Sequence, residues 1–168
     1  MNSSRHRSPG LPALVLLLAL AGCSSADDGA RVAVPTPDAQ VTQLCRNLDT
    51  ALPRKVAGLS RRDPKPASAL TAGWGSPAII LRCGVARPPK MVDPEVAEGH
   101  DPDVISGEVN GVDWLMEKQD DGSYRFTTAL RRAYVQVTVA KTHARDNSAV
   151  LVDLAPAIRR AIPEGIAG

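Results

Sequence analysis

The stretch from residue 93 to 103 has the residue types for metal chemistry. It contains two prolines and a cluster of titratable side chains, namely Asp93, Glu95, Glu98, His100, Asp101 and Asp103. Hard cations such as Ca²⁺ bind several oxygen ligands, and a loop can wrap around them. The stretch lacks the spaced acidic positions and central glycine of a known calcium loop. Two interpretations stay open: a solvated mobile loop, or a weak cation site made from its five carboxylates.

Other kinds of catalytic site are poorly supported. Gly75-Ser76-Pro77 lacks the second glycine of a hydrolase nucleophile elbow and precedes a strand. No serine is followed three positions later by lysine, and HExxH, P-loop and dinucleotide motifs are absent from the sequence. His100 and His143, the histidines beyond the amino-terminal segment, are too isolated for a zinc site. We therefore predict no catalytic residue and no cofactor.

The amino terminus has the organisation of an export signal. Arg5 and Arg7 precede an apolar run at 11–21, whose length is about half of what a helix needs to cross a bilayer. Leu20-Ala21-Gly22-Cys23 then resembles the lipobox of bacterial lipoproteins. This resemblance implies cleavage before Cys23 and acylation of its sulfur by fatty acids such as palmitate. The alternative is an ordinary signal peptide that contains a cysteine. We expect a protein anchored by lipid to the extracytoplasmic face of the cell membrane.

Cleavage of residues 1–22 would change the charge balance. The two arginines of the signal leave, so the mature chain of 146 residues has 18 basic and 18 acidic side chains. A nearly neutral chain gives no indication of nucleic-acid binding. Its length fits one domain. We predict a lipidated, flexible tether at 23–35 and a single domain at 36–168.

Cys45 and Cys83 remain once Cys23 is assigned to lipid. Outside the reducing cytosol disulfides persist, so pairing is the simplest prediction. Two buried free thiols are the alternative, and metal binding is less favoured because CxxC spacing and partner histidines are missing. A bond between the apolar face of a helix and the inward face of a strand would join two layers of the fold.

The first half of the domain predicts one helix and one strand. Thr36 is a possible helix cap with Pro37 in the first turn, and apolar residues follow at helical spacing until Pro53. Residues 54–73 are basic and aperiodic. In the next block Ile79, Leu81 and Cys83 alternate onto one face of a strand.

Hairpins dominate the second half. Asn110-Gly111 between 105–109 and 112–118 is a strong hairpin signal, a turn at 120–122 leads into 124–130, and 134–140 supplies another strand. The end of the chain is ambiguous, because Pro156 interrupts a helical pattern. We favour a helix at 154–162 with Pro156 in its first turn and 149–152 extended. The expected fold is α+β: an antiparallel sheet of about four or five strands with one amino-terminal and one carboxyl-terminal helix, in a two-layer sandwich.

Charge is unevenly distributed along the chain. Residues 46–90 hold nine basic and two acidic side chains, whereas 93–121 hold ten acidic and one basic. We call the part of the chain that contains Arg54, Lys55, Arg61, Arg62 and Lys65 the basic segment. It could face the membrane or an anionic wall polymer. Alternatively, the basic and acidic segments pair with each other across the fold.

Three blocks carry a family resemblance: Cys45 to Pro53, Trp74 to Pro88, and Val109 to Trp114, together with the lipobox. They resemble an actinobacterial lipoprotein family known as domain of unknown function 3515. The resemblance implies lipid anchoring at the cell envelope and transfers no functional residue. Our leading hypothesis is a non-catalytic lipoprotein that binds an envelope protein or a cell-wall polymer. The alternatives are a metal-dependent enzyme or sensor that uses the loop 93–103, and structural support of the envelope without a ligand.

Overall fold

The computed structural model describes residues 30–76 and 78–167. The predicted signal peptide, Cys23 and the first part of the predicted tether lie outside these residues, as does Pro77. Predictions about lipidation and cleavage therefore stay predictions.

Two helices pack on one face of a six-stranded antiparallel sheet. The helices are α1 (Ala39–Ala51) and α3 (Asn147–Ala161), and they contact each other. The strands of the main sheet are β3 (Thr71–Trp74), β4 (Ile79–Cys83), β5 (Val104–Val109), β6 (Val112–Lys118), β7 (Tyr124–Thr128) and β8 (Val135–Val139). Their order across the sheet is β3-β4-β8-β7-β6-β5. The prediction of an α+β sandwich is confirmed at this level.

Two further elements and one extra strand make the architecture larger than expected. A separate hairpin consists of β1 (Lys55–Val56) and β2 (Leu59–Ser60), and a short helix α2 (Pro94–Ala97) lies in the acidic stretch. Strand β3 is the sixth strand of the main sheet. The chain reverses between β3 and β4 at Gly75, whose φ of 72° is accessible to glycine without steric cost. Four-residue and two-residue strands offer too little alternation to be found by pattern.

Helix α1 begins later than the sequence suggested. Asp38, not Thr36, caps it: the Asp38 carboxylate accepts a hydrogen bond from the Val41 N–H at 2.9 Å. Pro37 precedes the helix instead of occupying its first turn. Asp at this position also places a negative charge at the positive end of the helix dipole, which favours it over threonine.

Helix α3 is longer than predicted and contains Pro156 in its interior. The prediction of a helix starting at 154 with Pro156 in its first turn was wrong. Pro156 lies on the exposed side of the helix, whereas Leu151, Leu154 and Ile158 are buried. The burial of this apolar face over four turns outweighs the lost hydrogen bond and the ring clash.

The core lies between the sheet and the helices. Alternation puts Ile79, Leu81 and Cys83 on the covered face, as predicted. The turns at 110–111 and 120–122 set the register of β5 with β6 and of β6 with β7, and β8 pairs with both β7 and β4. Trp74 and Trp114 are both buried in this core. The Asn110-Gly111 hairpin is confirmed, and both turn residues have positive φ values, 51° and 76°.

A disulfide joins the two layers. Cys45 of α1 and Cys83 of β4 are bonded, with their Cα atoms 5.5 Å apart and 38 positions apart in the chain. Both residues are buried. The predicted pairing of these cysteines is thus present in the structure, in place of two free thiols.

The chain that precedes α1 is held on the domain. The Val32 N–H donates to the Lys65 carbonyl at 3.0 Å, and the Lys65 N–H donates to the Ala30 carbonyl at 2.9 Å. The Arg82 guanidinium donates to the Ala33 carbonyl at 3.0 Å. The last residues of the predicted tether therefore run along the domain surface.

Candidate functional site

The main sheet has a second face, on the side opposite the two long helices. Strand alternation places Glu117 of β6, Arg125 of β7, Gln136 of β8 and Arg82 of β4 on this face, because their chain neighbours point into the core. We call it the free face. In the described part of the chain no helix of eight or more residues packs against it.

A groove of about 730 Å³ lies on the free face. We call it the sheet groove. The side chains of Arg82, Arg125, Gln136 and Glu117 line its floor, and the segments 35–38 and 84–89 form its walls. Its size is within the range of small-molecule sites.

A second cleft of about 960 Å³ continues from the first. We call it the loop cleft, because it lies between the sheet and the stretch at 87–99. The two cavities share Arg87, Tyr134 and Ala167 in their linings. The loop cleft is lined both by apolar residues and by charged ones, namely Met91, Val92, Val96, Leu115, Leu130 and Ile166 on the one hand and Arg87, Lys90, Asp93, Asp113 and Arg131 on the other. Together the cavities form one continuous depression that is lined by both apolar and charged residues.

Glu117 is the most unusual side chain of the sheet groove. Only 10% of its side chain is exposed. Its Oε2 lies 3.8 Å from Arg125 Nη1, which is an ion-pair distance but too long for a hydrogen bond. Its Oε1 is buried and has no hydrogen-bond partner among the described residues. An ionised carboxylate in this position is held by one distant guanidinium and lacks the donors that such a group normally has.

The arginines of the groove differ in how many donors they have available. Arg82 is engaged by the Ala33 carbonyl, and its Nη1 lies 3.4 Å from Gln136 Oε1. The Arg125 side chain is 40% exposed and lies beside Glu117. Arg87 is exposed at the junction of the two cavities. A guanidinium presents five N–H donors, so Arg125 keeps several of them for a ligand.

The acidic stretch is ordered around a lysine. The Lys90 ammonium lies 2.7 Å from Asp101 Oδ2 and 3.0 Å from Asp93 Oδ2. The hydrogen bond from Lys90, followed by the one from the Asp103 N–H, lowers the pKa of the Asp101 carboxyl. The hydrogen bond to Asp101, followed by the one to Asp93, raises the pKa of the Lys90 ammonium. We call this arrangement the Lys90 clamp.

The structure does not gather the five predicted cation ligands into one site. Glu95 and Glu98 lie near His100 Nδ1, at 3.8 Å and 3.3 Å, and all three side chains are exposed. Asp103 faces Lys118 at 3.8 Å. Within 30–76 and 78–167, no group of three or more His, Cys, Asp or Glu side chains is placed to hold a metal ion.

The basic segment is partly neutralised locally. Arg61 binds Asp49 of α1 and Asp63 at 2.8 Å, the two acidic residues of the basic half. Lys90, the last basic residue of that half, binds two carboxylates of the acidic half. Pairing between the two halves is therefore seen at their boundary, in the Lys90 clamp.

Sequence reasoning missed the groove residues. Glu117 and Arg125 are direct partners across β6 and β7, equidistant from the turn that was predicted at 120–122. Counting outward from that turn would have paired them. The sequence gives no sign that the carboxylate is buried, because the segments 35–38 and 84–89 that line the groove around it are distant from Glu117 in the chain.

The fold and the groove define a small disulfide-linked α+β domain with a ligand-sized depression on the face of its sheet that the helices leave free. A family model described as "Protein of unknown function (DUF3515)" matches residues 10–167, so the chain belongs to this family. No curated protein and no solved structure is significantly similar to it. None of the helices in the described ranges has both the length and the hydropathy to cross a membrane.

Proposed function

We propose that this protein is a lipid-anchored, extracytoplasmic binding module of the cell envelope, without catalytic activity, that holds its ligand in the sheet groove. The observation that carries the proposal is the free face itself. On this face a buried carboxylate lacks hydrogen-bond donors and lies beside a guanidinium. A polar ligand that supplies those donors would be complementary to it.

The disulfide supports an extracytoplasmic setting. Bonds of this kind form and persist in oxidising compartments and are rare in the cytosol. Cys45 and Cys83 are both buried, so the bond is protected from reductants by the helix layer. This agrees with the expected export of the chain.

The predicted anchor would keep the groove close to the membrane. Seven positions separate Cys23 from Ala30, where the chain is already bound to the domain. Even a fully extended chain of that length spans only about 25 Å. Pro35 and Pro37 belong to the wall of the sheet groove. This module would accordingly bind its ligand close to the membrane, within the cell envelope.

Anchoring is tested on the protein expressed in its native cell. We expect the chain in the membrane fraction, and mass spectrometry should show an acylated peptide that begins at Cys23. A Cys23→Ser variant should lose both properties. A soluble chain that still begins at Met1 would contradict the anchoring.

Binding at the free face is tested by photocrosslinking in living cells. A photoreactive residue replaces Gln136, which lines the groove, and in a control strain it replaces Arg160, which is exposed on α3. We expect defined crosslinked products from position 136 and not from position 160. Products from position 160 alone, or identical products from both, would place the interaction elsewhere.

A further inference from the structure

We infer that the sheet groove recognises an α-amino-acid group, a carbon that bears both a free ammonium and a free carboxylate. The ammonium would bind Glu117 and the carboxylate would bind Arg125. This inference rests on the proposed binding function and specifies the chemistry of its ligand.

Glu117 determines the cationic half of the ligand. An ionised carboxylate can only accept hydrogen bonds, so the buried Oε1 is complementary to a donor. A buried charge is stabilised far better by an opposite charge than by a neutral donor. Among ligand groups, an ammonium supplies both the charge and up to three N–H donors.

Arg125 determines the anionic half. Its guanidinium is the cation beside Glu117, yet the 3.8 Å separation leaves its N–H donors without a close bond to that carboxylate. Planar guanidinium groups bind carboxylates through two parallel hydrogen bonds. Arg87 at the junction adds positive charge to the same end of the depression.

The spacing of the pair limits how far apart the two ligand charges lie. Glu117 and Arg125 are neighbours on adjacent strands, and their charged atoms are 3.8 Å apart. In an α-amino acid, two bonds of about 1.5 Å each hold the nitrogen and the carboxyl carbon within about 3 Å of one another. The free ends of an extended peptide are too far apart to meet both groups at once.

The loop cleft receives the remainder of the ligand. It continues from the sheet groove and presents apolar side chains, including Met91, Val96 and Leu130. These side chains can pack against the methylene groups of a substituent that extends from the α-amino-acid group. Two sources carry such a group: a free aliphatic amino acid, and a wall peptide whose side chain ends in a free α-amino-acid group.

The test is calorimetry on the purified full chain with four probes. They are leucine, N-acetylleucine, leucine amide, and a tripeptide containing diaminopimelate, whose side chain ends in the required group. We expect leucine or the tripeptide to bind, which also identifies the source. Each blocked leucine should bind about 10-fold more weakly than leucine or worse, since each lacks one charge-assisted contact. If the tripeptide alone binds, its acetylated and amidated forms replace the blocked leucines.

Two variants assign the contacts. Glu117→Gln keeps the shape of the side chain and should bind the zwitterion about 10-fold more weakly, while losing the discrimination against the acetylated form. Arg125→Gln should lose the discrimination against the amide. Glu98→Gln changes an exposed carboxylate outside the groove lining and should bind like the original protein. Circular dichroism checks that each variant is folded.

Two results would overturn the inference: no heat from either zwitterion at millimolar concentration, or equal binding of the free and acetylated forms by the original chain. The blocked probes need no variant, so a misfolded variant does not affect this outcome. Crosslinks from position 136 in cells, combined with no zwitterion binding, would refute the ligand class and leave the binding function standing. Absence of those crosslinks would refute the function itself.

Discussion

Removal of the Cys45–Cys83 disulfide should cost the domain much of its stability. The bond closes a segment with a sequence separation of 38. In the chain-entropy model, a loop of this length restricts the unfolded chain enough to contribute about 4 kcal/mol. The net stability of a small domain is about 5–15 kcal/mol, so the bond supplies a large part of it.

The test compares the double variant Cys45→Ala/Cys83→Ala with the oxidised protein. Both are unfolded in urea, and unfolding is followed by circular dichroism. We expect the free energy of unfolding to fall by about 4 kcal/mol and the melting temperature by roughly 15 °C. Since both cysteines are buried, part of any loss in the variant comes from the missing sulfur atoms.

Reduction of the original protein separates these two contributions, because it breaks the bond and keeps both sulfurs. Reduction should therefore lower the free energy of unfolding by most of the amount that is lost in the double variant. Equal unfolding free energies of oxidised and reduced protein, within about 1 kcal/mol, would refute the argument that the bond acts by restricting the unfolded chain.

Three further outcomes are expected. Pro156→Ala should raise the free energy of unfolding by up to about 3 kcal/mol in urea melts, since Pro156 interrupts a helix interior; an unchanged or lower value would show that α3 is adapted to the ring. Lys90→Met should raise the pKa of Asp101 measured by NMR titration. Because the folded pKa of Asp101 is lowered, its contribution to stability is present at neutral pH and is lost as the pH falls below the ordinary value for aspartate, and this acid sensitivity should shrink in the variant. Arg131→Met should destabilise the domain by about 3 kcal/mol, because the buried guanidinium bonds two backbone carbonyls that would lose their donor; thermal melts within 1 °C of the original would contradict this.

Local signals in the sequence accounted for much of the sheet. The Asn110-Gly111 turn requires positive φ at both residues, a condition that asparagine and glycine meet, and it fixes the register of β5 against β6. Alternation of Ile79, Leu81 and Cys83 gave the buried face of β4. The hairpin turn and the alternation depend on interactions between residues close in the chain, so they can be predicted from the residue types.

Helix α3 and strand β3 required long-range contacts. A proline normally ends a helix, and only the apolar contacts of α3 with α1 and the sheet stabilise the helix around Pro156. Strand β3 is four residues long and is defined by its pairing with β4. The intrinsic helix or strand propensity of a segment predicts little when its conformation is set by partners distant in the chain.

The cysteine inventory, the hairpin registers, the apolar faces and the near neutrality of the chain after residue 22 follow from residue identity and spacing, and they can be read from the sequence. The packing of the layers, by contrast, sets which carboxylates are bound by lysine and which described carboxylate is buried without a hydrogen-bond donor. Asp93 and Asp101 are stabilised by the Lys90 ammonium, whereas Glu117 is covered by segments that fold over the sheet. The chemistry of a carboxylate depends on the charges and donors that distant parts of the chain bring to it, and those distances are set only when the layers pack.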